Sequence, residues 1–446
     1  MKCALIGEKL GHSFSKEIHE ALGKYEYEHI ELTPDEVEPF ISKREFNGLN
    51  ITIPYKQSVM PLLDEISETA REIGAVNTIV NRNGRLIGYN TDYGGMKLLI
   101  ERTGINLSGK KVFIAGTGGT SSTAAKICQN LGASEVVIAS RSGRNGALRY
   151  EDSYRMHGDA ALLINTTPAG MHPDTDSVPI MLDCFTQAEG VVDVIYNPMQ
   201  TRLIREAREK GIRAENGLYM LVAQAVLASK LFTGESTDEI ETVAATKAEA
   251  AAETKTAAER NTVAATAVPT EEIQKTIEGI YKELIKKKRS IVLTGMPRSG
   301  KSTLGKMLAE KLGRELVETD EEIVAEAGMP IAQIFSKYGE EHFRDIESRI
   351  IKKVSQRSGL VISTGGGAVL RKENVDSLRM NGIIVFLDRS LEKLLPSRSR
   401  PLADTAEKIR RLYEERLPIY IKTADVRVKI EGTEEQSLER IMGVLE

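Results

Sequence analysis

Cysteine is scarce in this 446-residue chain: Cys3, Cys128 and Cys184 stand far apart, with no Cys-x-x-Cys spacing. That argues against a disulfide framework and a thiolate zinc site, and makes a reducing, cytoplasmic setting the expected one. Histidine is also infrequent, and His12, His19 and His29 lack ligand spacing, so packing or surface roles suffice for them. Net charge is only −4, which leaves no bulk attraction to phosphate backbones or anionic membranes; neither nucleic acid nor membrane is an expected partner. Long apolar runs are missing too. The opening MKCALIG soon reaches Gly11, His12 and Lys16, too short a run for a signal peptide or a membrane span.

What is present suits globular small-molecule chemistry: 41% hydrophobic and 28% charged residues, enough apolar material for sizeable cores. The length predicts two or three domains. From about Ser236 to Lys288 the composition collapses into Ala, Thr, Glu and Lys with few large apolar side chains, which reads as a partly helical linker interrupted at Val268-Pro269; Glu271 to Lys287 could form a lead-in helix. Before it, short β-rich runs such as CALIG, LNITI, KVFIAG, EVVIAS and GVVDVIY alternate with helical patterns. After it come SIVLTG, LVISTGG, GIIVFLD and VRVKI. Both halves read as α/β domains with largely parallel sheets, and no short-period repeat is present.

SIVLTG runs straight into GMPRSGKST and then the helical pattern TLGKMLAEKLG, giving strand, Gly-x4-Gly-Lys-Ser and helix in the order a phosphate loop needs. Glycines there let backbone N–H groups turn in around phosphate oxygens, and the helix adds its positive end. On this reading Gly295, Arg298, Ser299, Gly300 and Thr303 cradle ATP, Lys301 reaches its β- and γ-phosphates, and Ser302 is the expected Mg²⁺ ligand. The loop says nothing about what is phosphorylated.

From about Arg289 to Ile430 the chain resembles the shikimate kinase family, through GMPRSGKSTLGKMLA, ETDEEI, IFSKYGEEHFRDIE, STGGGAVL, RSRPLA and EERLPIYIKTAD. The resemblance implies a nucleoside-monophosphate-kinase-like domain whose substrate is held by Asp320, Arg344, Arg416 and the triplet Gly365-Gly366-Gly367. Asp320 would accept the proton of the attacking hydroxyl, while Lys301 and the lid residue Arg400 neutralise the migrating phosphoryl group. Two positions depart from the pattern. Glu318 stands where the family usually has aspartate, and is expected to hold Mg²⁺ through water; the lid segment LEKLLPSRSRPLA is short, which leaves adenine contacts by Arg398 open. Plainer readings also stand: Glu340, Arg344 and Glu347 have the spacing of a solvated ion-pair face, and Asp320 could cap the helix that follows it.

In the first half, LSGKKVFIAGTGGTSSTAAKICQNLG is a strand, a glycine-rich turn and a helix, followed by the strand EVVIAS: a Rossmann unit in context, with Ser121 in place of the third glycine. Gly116, Thr117, Gly118, Gly119 and Thr120 form the pyrophosphate turn. The second strand ends in Ser140-Arg141-Ser142 with Arg144 close by and no acidic residue, which points to the 2′-phosphate of NADP(H) rather than to NAD; surface arginines are the plainer alternative.

With its flanking segments this half resembles shikimate dehydrogenase from about residue 3 to 232, through GHSFSKEIH, GLNITIPYK, GAVNT, GYNTDYGG, GTGGTSS, INTTPAGM, DVIYNPMQTRLI and NGLYMLVAQA. The resemblance implies that Ser13 and Ser15 bind the substrate carboxylate, with Thr52, Asn77, Asp92, Tyr196 and Gln224 around the ring. Val194 and Gly217 join the cofactor set, and Lys56 with Asp92 forms the catalytic pair, Lys56 as proton donor. Lys56 could equally be a solvated loop lysine. Ser140 stands where asparagine is common, and the stretch from Arg141 to Asn165 is short, which implies a truncated helix.

Together the resemblances imply a bifunctional enzyme: NADPH reduces 3-dehydroshikimate to shikimate, and ATP phosphorylates its 3-hydroxyl. The expected layout is a substrate domain at 1–100 with 217–235 returning to it, an NADP domain at 101–216, a linker at 236–288 and a kinase domain at 289–446. Two alternatives remain: a first half that also oxidises quinate, or one half kept only as a binding module. Intact Lys56, Asp92, Lys301, Asp320 and Arg344 speak against the second. The sequence leaves a homo-oligomer open.

Overall fold

Apolar runs separated by turn residues build three sheets in the computed structural model, which describes residues 1–11, 13–144, 146–235, 270–394 and 405–445. They group into two compact units, Met1–Tyr196 with Thr201–Leu284, and Asn197–Gln200 with Ile285–Glu446. Among the described residues no helix is long and apolar enough to cross a membrane.

The first sheet comprises β1 (Lys2–Gly7), β2 (Glu26–Glu31), β3 (Gly48–Ile51), β4 (Glu65–Ile66), β5 (Thr78–Arg82) and β6 (Arg85–Tyr89), in the order β2-β1-β3-β5-β6-β4. β1 lies parallel to β2 and β3, whereas β5 turns antiparallel to β3 and pairs with β6 across Asn83-Gly84. Both turn residues take positive φ, as the tightest hairpin turns require. Ile6, Leu49, Ile79 and Leu86 are wholly buried in its core. The histidine left without a role packs here: His19 is buried, stacked 3.9 Å from the Tyr27 ring, and burial lowers its pKa to about 3.

The second sheet is all parallel: β7 (Lys111–Ala115), β8 (Glu135–Ser140), β9 (Leu148–Arg149), β10 (Leu162–Asn165), β11 (Gly190–Asp193) and β12 (Arg213–Asn216), in the order β9-β8-β7-β10-β11-β12. Val112, Phe113, Ile114 and Leu163 are fully buried, as strands covered on both faces must be. The order reverses between β7 and β10, so the carboxyl ends of these two strands flank the crevice where a doubly wound sheet takes its ligand. The short stretch after Arg141 yields a two-residue β9 and a seven-residue helix, Tyr150–Met156.

Of the expected linker, residues 236–269 lie outside the described residues, and Glu271–Lys288 is a helix. Ile273, Ile277, Tyr281 and Leu284 form a buried stripe along it. Glu278 on this helix pairs with Arg102, whose guanidinium lies 4.4 Å from the Tyr219 ring centre and 4.9 Å from that of Tyr281. Four apolar residues at helical spacing were diluted by polar neighbours in the composition.

The third sheet is also all parallel: β13 (Ser290–Thr294), β14 (Leu316–Glu318), β15 (Val361–Ser363), β16 (Gly382–Asp388) and β17 (Val426–Lys429), in the order β14-β15-β13-β16-β17. Central β13 is buried along its whole length and delivers the glycine-rich loop to the helix Lys301–Leu312.

Candidate active sites

In the first unit, Lys56 and Asp92 meet at 2.5 Å between Nζ and Oδ2, with side chains 31% and 22% exposed. Asp92 sits in the first turn of the helix Thr91–Arg102, capped by the Asn90 side chain, which accepts from the Tyr93 N–H. Asn77 fixes that helix start: its Oδ1 accepts from the Thr91 N–H at 2.7 Å and its Nδ2 donates to Thr91 Oγ1 at 3.1 Å. The Val76 N–H donates to the Lys56 carbonyl, so the lysine loop is tied to the segment that leads through Asn77 into β5. Gly95, one turn on, lets the helix Leu218–Thr233 approach; a Cβ there would lie 2.7 Å from the Met220 carbonyl and 3.1 Å from Gln224 Cβ. Gln224 is buried in that contact, its amide donating to the Leu221 carbonyl.

The other residues that the resemblance assigns to the substrate are placed by shorter links. Ser13 Oγ donates to Ser15 Oγ at 3.0 Å, and Phe14 between them packs 5.3 Å from the Tyr196 ring. Thr52 follows β3 and donates its N–H to the Ile6 carbonyl.

On the dinucleotide side, Gly116 directly follows β7 at φ +114°, and the Gly118–Gly119 turn opens the helix Gly119–Asn130, with nothing within 4 Å of the Cβ position of either Gly118 or Gly119. That open cradle at a helix N-terminus fits a pyrophosphate. Ser121, where the third glycine was missing, is buried in the helix–sheet contact. Arg141 and Arg144 are exposed and make no ion pair among the described residues, which fits an anionic ligand; Ser140 instead accepts from the Gly143 N–H, tightening the turn that carries them. Gly217 is compulsory, since any Cβ would strike the Val194 carbonyl.

Sequence reasoning passed over Asp193, the buried residue that ends β11. It accepts from Thr201 Oγ1 at 2.7 Å, Asn165 Nδ2 at 2.9 Å and the Ile195 N–H at 3.1 Å, holding the loops around Val194. Burial pushes its carboxyl up to about 6 despite those bonds. With the folded value above the unfolded one, its contribution to stability is full below about pH 4 and is lost as pH rises through about 6, a change of roughly 3 kcal/mol. Urea unfolding of Asp193→Asn should therefore show a stability difference from the parent that grows in the variant's favour from pH 4.5 to 7; parallel pH profiles would refute it. A polar residue closing an apolar β run, GVVD, was the available signal.

In the second unit the loop takes the turns its glycines permit, with φ +147° at Gly295, +64° at Arg298 and +101° at Gly300. Lys301 is 6% exposed and donates to the Gly295 and Met296 carbonyls at 2.9 Å each. Ser299 is buried, while Ser302 and Thr303 are exposed on the first helical turn. Glu318 ends β14, and its Oε1 is buried without a hydrogen-bond partner, an orphaned acceptor that fits a hydrated cation. Among the described residues no group of three or more His, Cys, Asp or Glu could hold a metal ion. Arg398 and Arg400 lie outside the described residues.

Beside the loop, the glycine triplet is ringed by the residues the sequence singled out. Arg416 Nη1 donates to the Gly366 carbonyl at 3.1 Å, and the Tyr420 hydroxyl donates to the same oxygen. A Cβ on Gly365 would stand 2.7 Å from Asp320 Oδ1 and 2.9 Å from Glu347 Oε1; one on Gly367 would strike the Arg344 guanidinium. Arg344 binds Glu347 at 2.6 Å and Glu340 at 3.0 Å. Because Glu347 is 0% and Arg344 7% exposed, their pair is buried, and only Glu340 of the row stands at the solvent-exposed edge. Burial raises the Glu347 pKa, opposed by Arg344. Tyr420 and Thr319, whose hydroxyl accepts from the Gly365 N–H at 3.1 Å, escaped the sequence reading. Tyr420 stands one helical turn after Arg416, and that spacing was the signal.

A doubly wound dinucleotide sheet with a Lys–Asp pair, followed by a phosphate loop beside an arginine-lined glycine triplet, defines a nicotinamide-dependent oxidoreductase joined to a P-loop phosphotransferase. Comparison with known proteins makes this specific. A model of the shikimate dehydrogenase substrate binding domain matches residues 5–79, and the shikimate kinase model matches residues 297–446. Shikimate dehydrogenase (NADP(+)) of Clostridium perfringens is 36% identical over 251 residues, covering 52% of this chain and 93% of that protein. Its counterpart in Halothermothrix orenii is 39% identical over 259 residues, covering 52% and 90%. Among solved structures, shikimate dehydrogenase 1 from Peptoclostridium difficile is 31% identical with a TM-score of 0.49, covering 55% of this chain and 96% of that one. The chain belongs to the shikimate dehydrogenase family over its first half and carries a shikimate kinase domain at its C-terminal end. It is a bifunctional shikimate-pathway enzyme that uses NADP(H) in one half, and ATP with Mg²⁺ in the other.

Proposed function

We propose that the first unit reduces 3-dehydroshikimate at the Lys56–Asp92 pair and that the second phosphorylates the 3-hydroxyl of shikimate between Asp320 and the phosphate loop, both in the cytoplasm. NADPH, when bound, supplies the hydride. Lys56 gives the proton to the alkoxide that forms, Asp92 orients Lys56 and holds a ring hydroxyl, and Ser13 and Ser15 bind the carboxylate. Thr52, Asn77, Tyr196 and Gln224 enclose the ring. Gly116 to Thr120, Val194 and Gly217 bind the cofactor, with Arg141 and Arg144 taking its 2′-phosphate. We assign 1–100 with 217–235 to the substrate domain, 101–216 to the NADP domain and 289–446 to the kinase.

In the kinase, Asp320 accepts the proton of the attacking hydroxyl, and Arg344 and Arg416 bind the ring carboxylate over the Gly366 backbone. Mg²⁺, when bound through Ser302 and Glu318, supplies charge neutralisation on the nucleotide. Lys301 acts on the transferring phosphoryl group electrostatically, with no covalent intermediate, and Arg400 of the lid joins it.

The observation that carries this reading is the convergence of Asp320, Arg344 and Arg416, from three distant segments, on one glycine triplet. Gly367→Ala tests it. A methyl group there displaces the Arg344 guanidinium from its buried seat, a rearrangement costing roughly 1–3 kcal/mol. The expected result is a rise of about tenfold or more in KM for shikimate with KM for ATP unchanged. Equal changes in both constants, or none, would count against the carboxylate site.

A further inference from the structure

Arg389 directly follows β16, the strand beside the loop-bearing β13; in that pairing Thr294 stands opposite Phe386, so Arg389 lies past the strand end at the level of the phosphate loop. Its neighbour Asp388 is already taken, accepting from Arg427 Nε at 3.0 Å and Nη2 at 2.7 Å. Arg389 itself makes no hydrogen bond or ion pair among the described residues, and its Nε is buried without a partner. Its Nη1 lies 3.9 Å from where a Cβ on Gly300 would stand, which puts the guanidinium against the last glycine of the loop.

A half-buried guanidinium that no acid among the described residues neutralises is costly, and its planar donor fork matches phosphate oxygens. Lys301, in contrast, is held by two loop carbonyls. We infer that Arg389 is a further nucleotide-binding residue of the kinase, its guanidinium taking the polyphosphate of ATP at the rim of the loop beside Gly300. The inference rests on GMPRSGKST being the ATP loop. It adds a second fixed cation, carried at the end of a sheet strand.

The test uses the full-length enzyme. Arg389→Ala should raise KM for ATP by about tenfold or more, with KM for shikimate and the dehydrogenase activity unchanged, since a hydrogen-bonded charge on phosphate is worth at least that factor. Arg389→Lys should recover part of the loss by restoring charge without the fork. Inorganic tripolyphosphate should compete with ATP more weakly in Arg389→Ala than in the parent. An ATP KM within twofold of the parent overturns the inference, and so does unchanged tripolyphosphate competition, which would place Arg389 against the base. Lys301→Ala separates the two levels: if it leaves phosphorylation intact, the loop assignment itself fails; if it abolishes phosphorylation while Arg389→Ala is neutral, only the role of Arg389 fails.

Discussion

Lys301→Ala is expected to lower kinase turnover by about a hundred- to a thousandfold, the range seen when one preorganised charge-stabilising group is removed from a water-poor site. The side chain is 6% exposed and sits over the Gly295 and Met296 carbonyls, so its charge lies where phosphate oxygens arrive. Its loss leaves two carbonyls short of a donor, about 1 kcal/mol each, which the unit should survive folded. Lys301→Arg should not rescue, because a planar fork cannot replace a compact ammonium inside the turn. The dehydrogenase activity of the same chain serves as the internal control and should remain at the parental level. Steady-state rates with ATP and shikimate check the result; residual turnover within tenfold of the parent would remove Lys301 from the chemistry.

Lys56→Ala should produce the mirror pattern. A positioned general acid contributes about 10²- to 10⁴-fold, and the contact with Asp92 at 2.5 Å holds the Lys56 ammonium in one place. The pair is partly exposed, so breaking it should cost no more than about 1 kcal/mol of stability, and lost activity cannot be put down to unfolding. NADPH oxidation with 3-dehydroshikimate should collapse while phosphorylation of added shikimate continues unchanged. If the reduction rate stays within tenfold, Lys56 is a solvated loop lysine of the kind its position after Pro54 also allows.

Much of this was legible in the chain because the decisive residues lie in short contiguous motifs. GMPRSGKST and GTGGT each place a strand end, a turn and a helix start within a few residues, and local backbone preference dictates the geometry. The arginines after EVVIAS could be read for the same reason. Residues that act across the fold were harder to find. Asp193 gains its role from Asn165 and Thr201, which only the sheet order brings to it. Glu347 looked like one member of a surface ion-pair row until burial showed otherwise. Arg389 has no motif at all, and becomes visible only when β16 is paired with β13. The helix Glu271–Lys288 was legible as a lead-in helix, but its polar composition hid the apolar stripe that buries one face of it.

The most direct test of two sites on one chain is a coupled assay with purified full-length enzyme, 3-dehydroshikimate, NADPH, ATP and Mg²⁺. The account predicts shikimate 3-phosphate formed with one NADPH oxidised and one ATP consumed per product, and a mixture of Lys56→Ala and Lys301→Ala enzymes restoring the product that neither variant makes alone. NADPH oxidation that ends at shikimate, or ATP consumption without a phosphorylated ring acid, would contradict it.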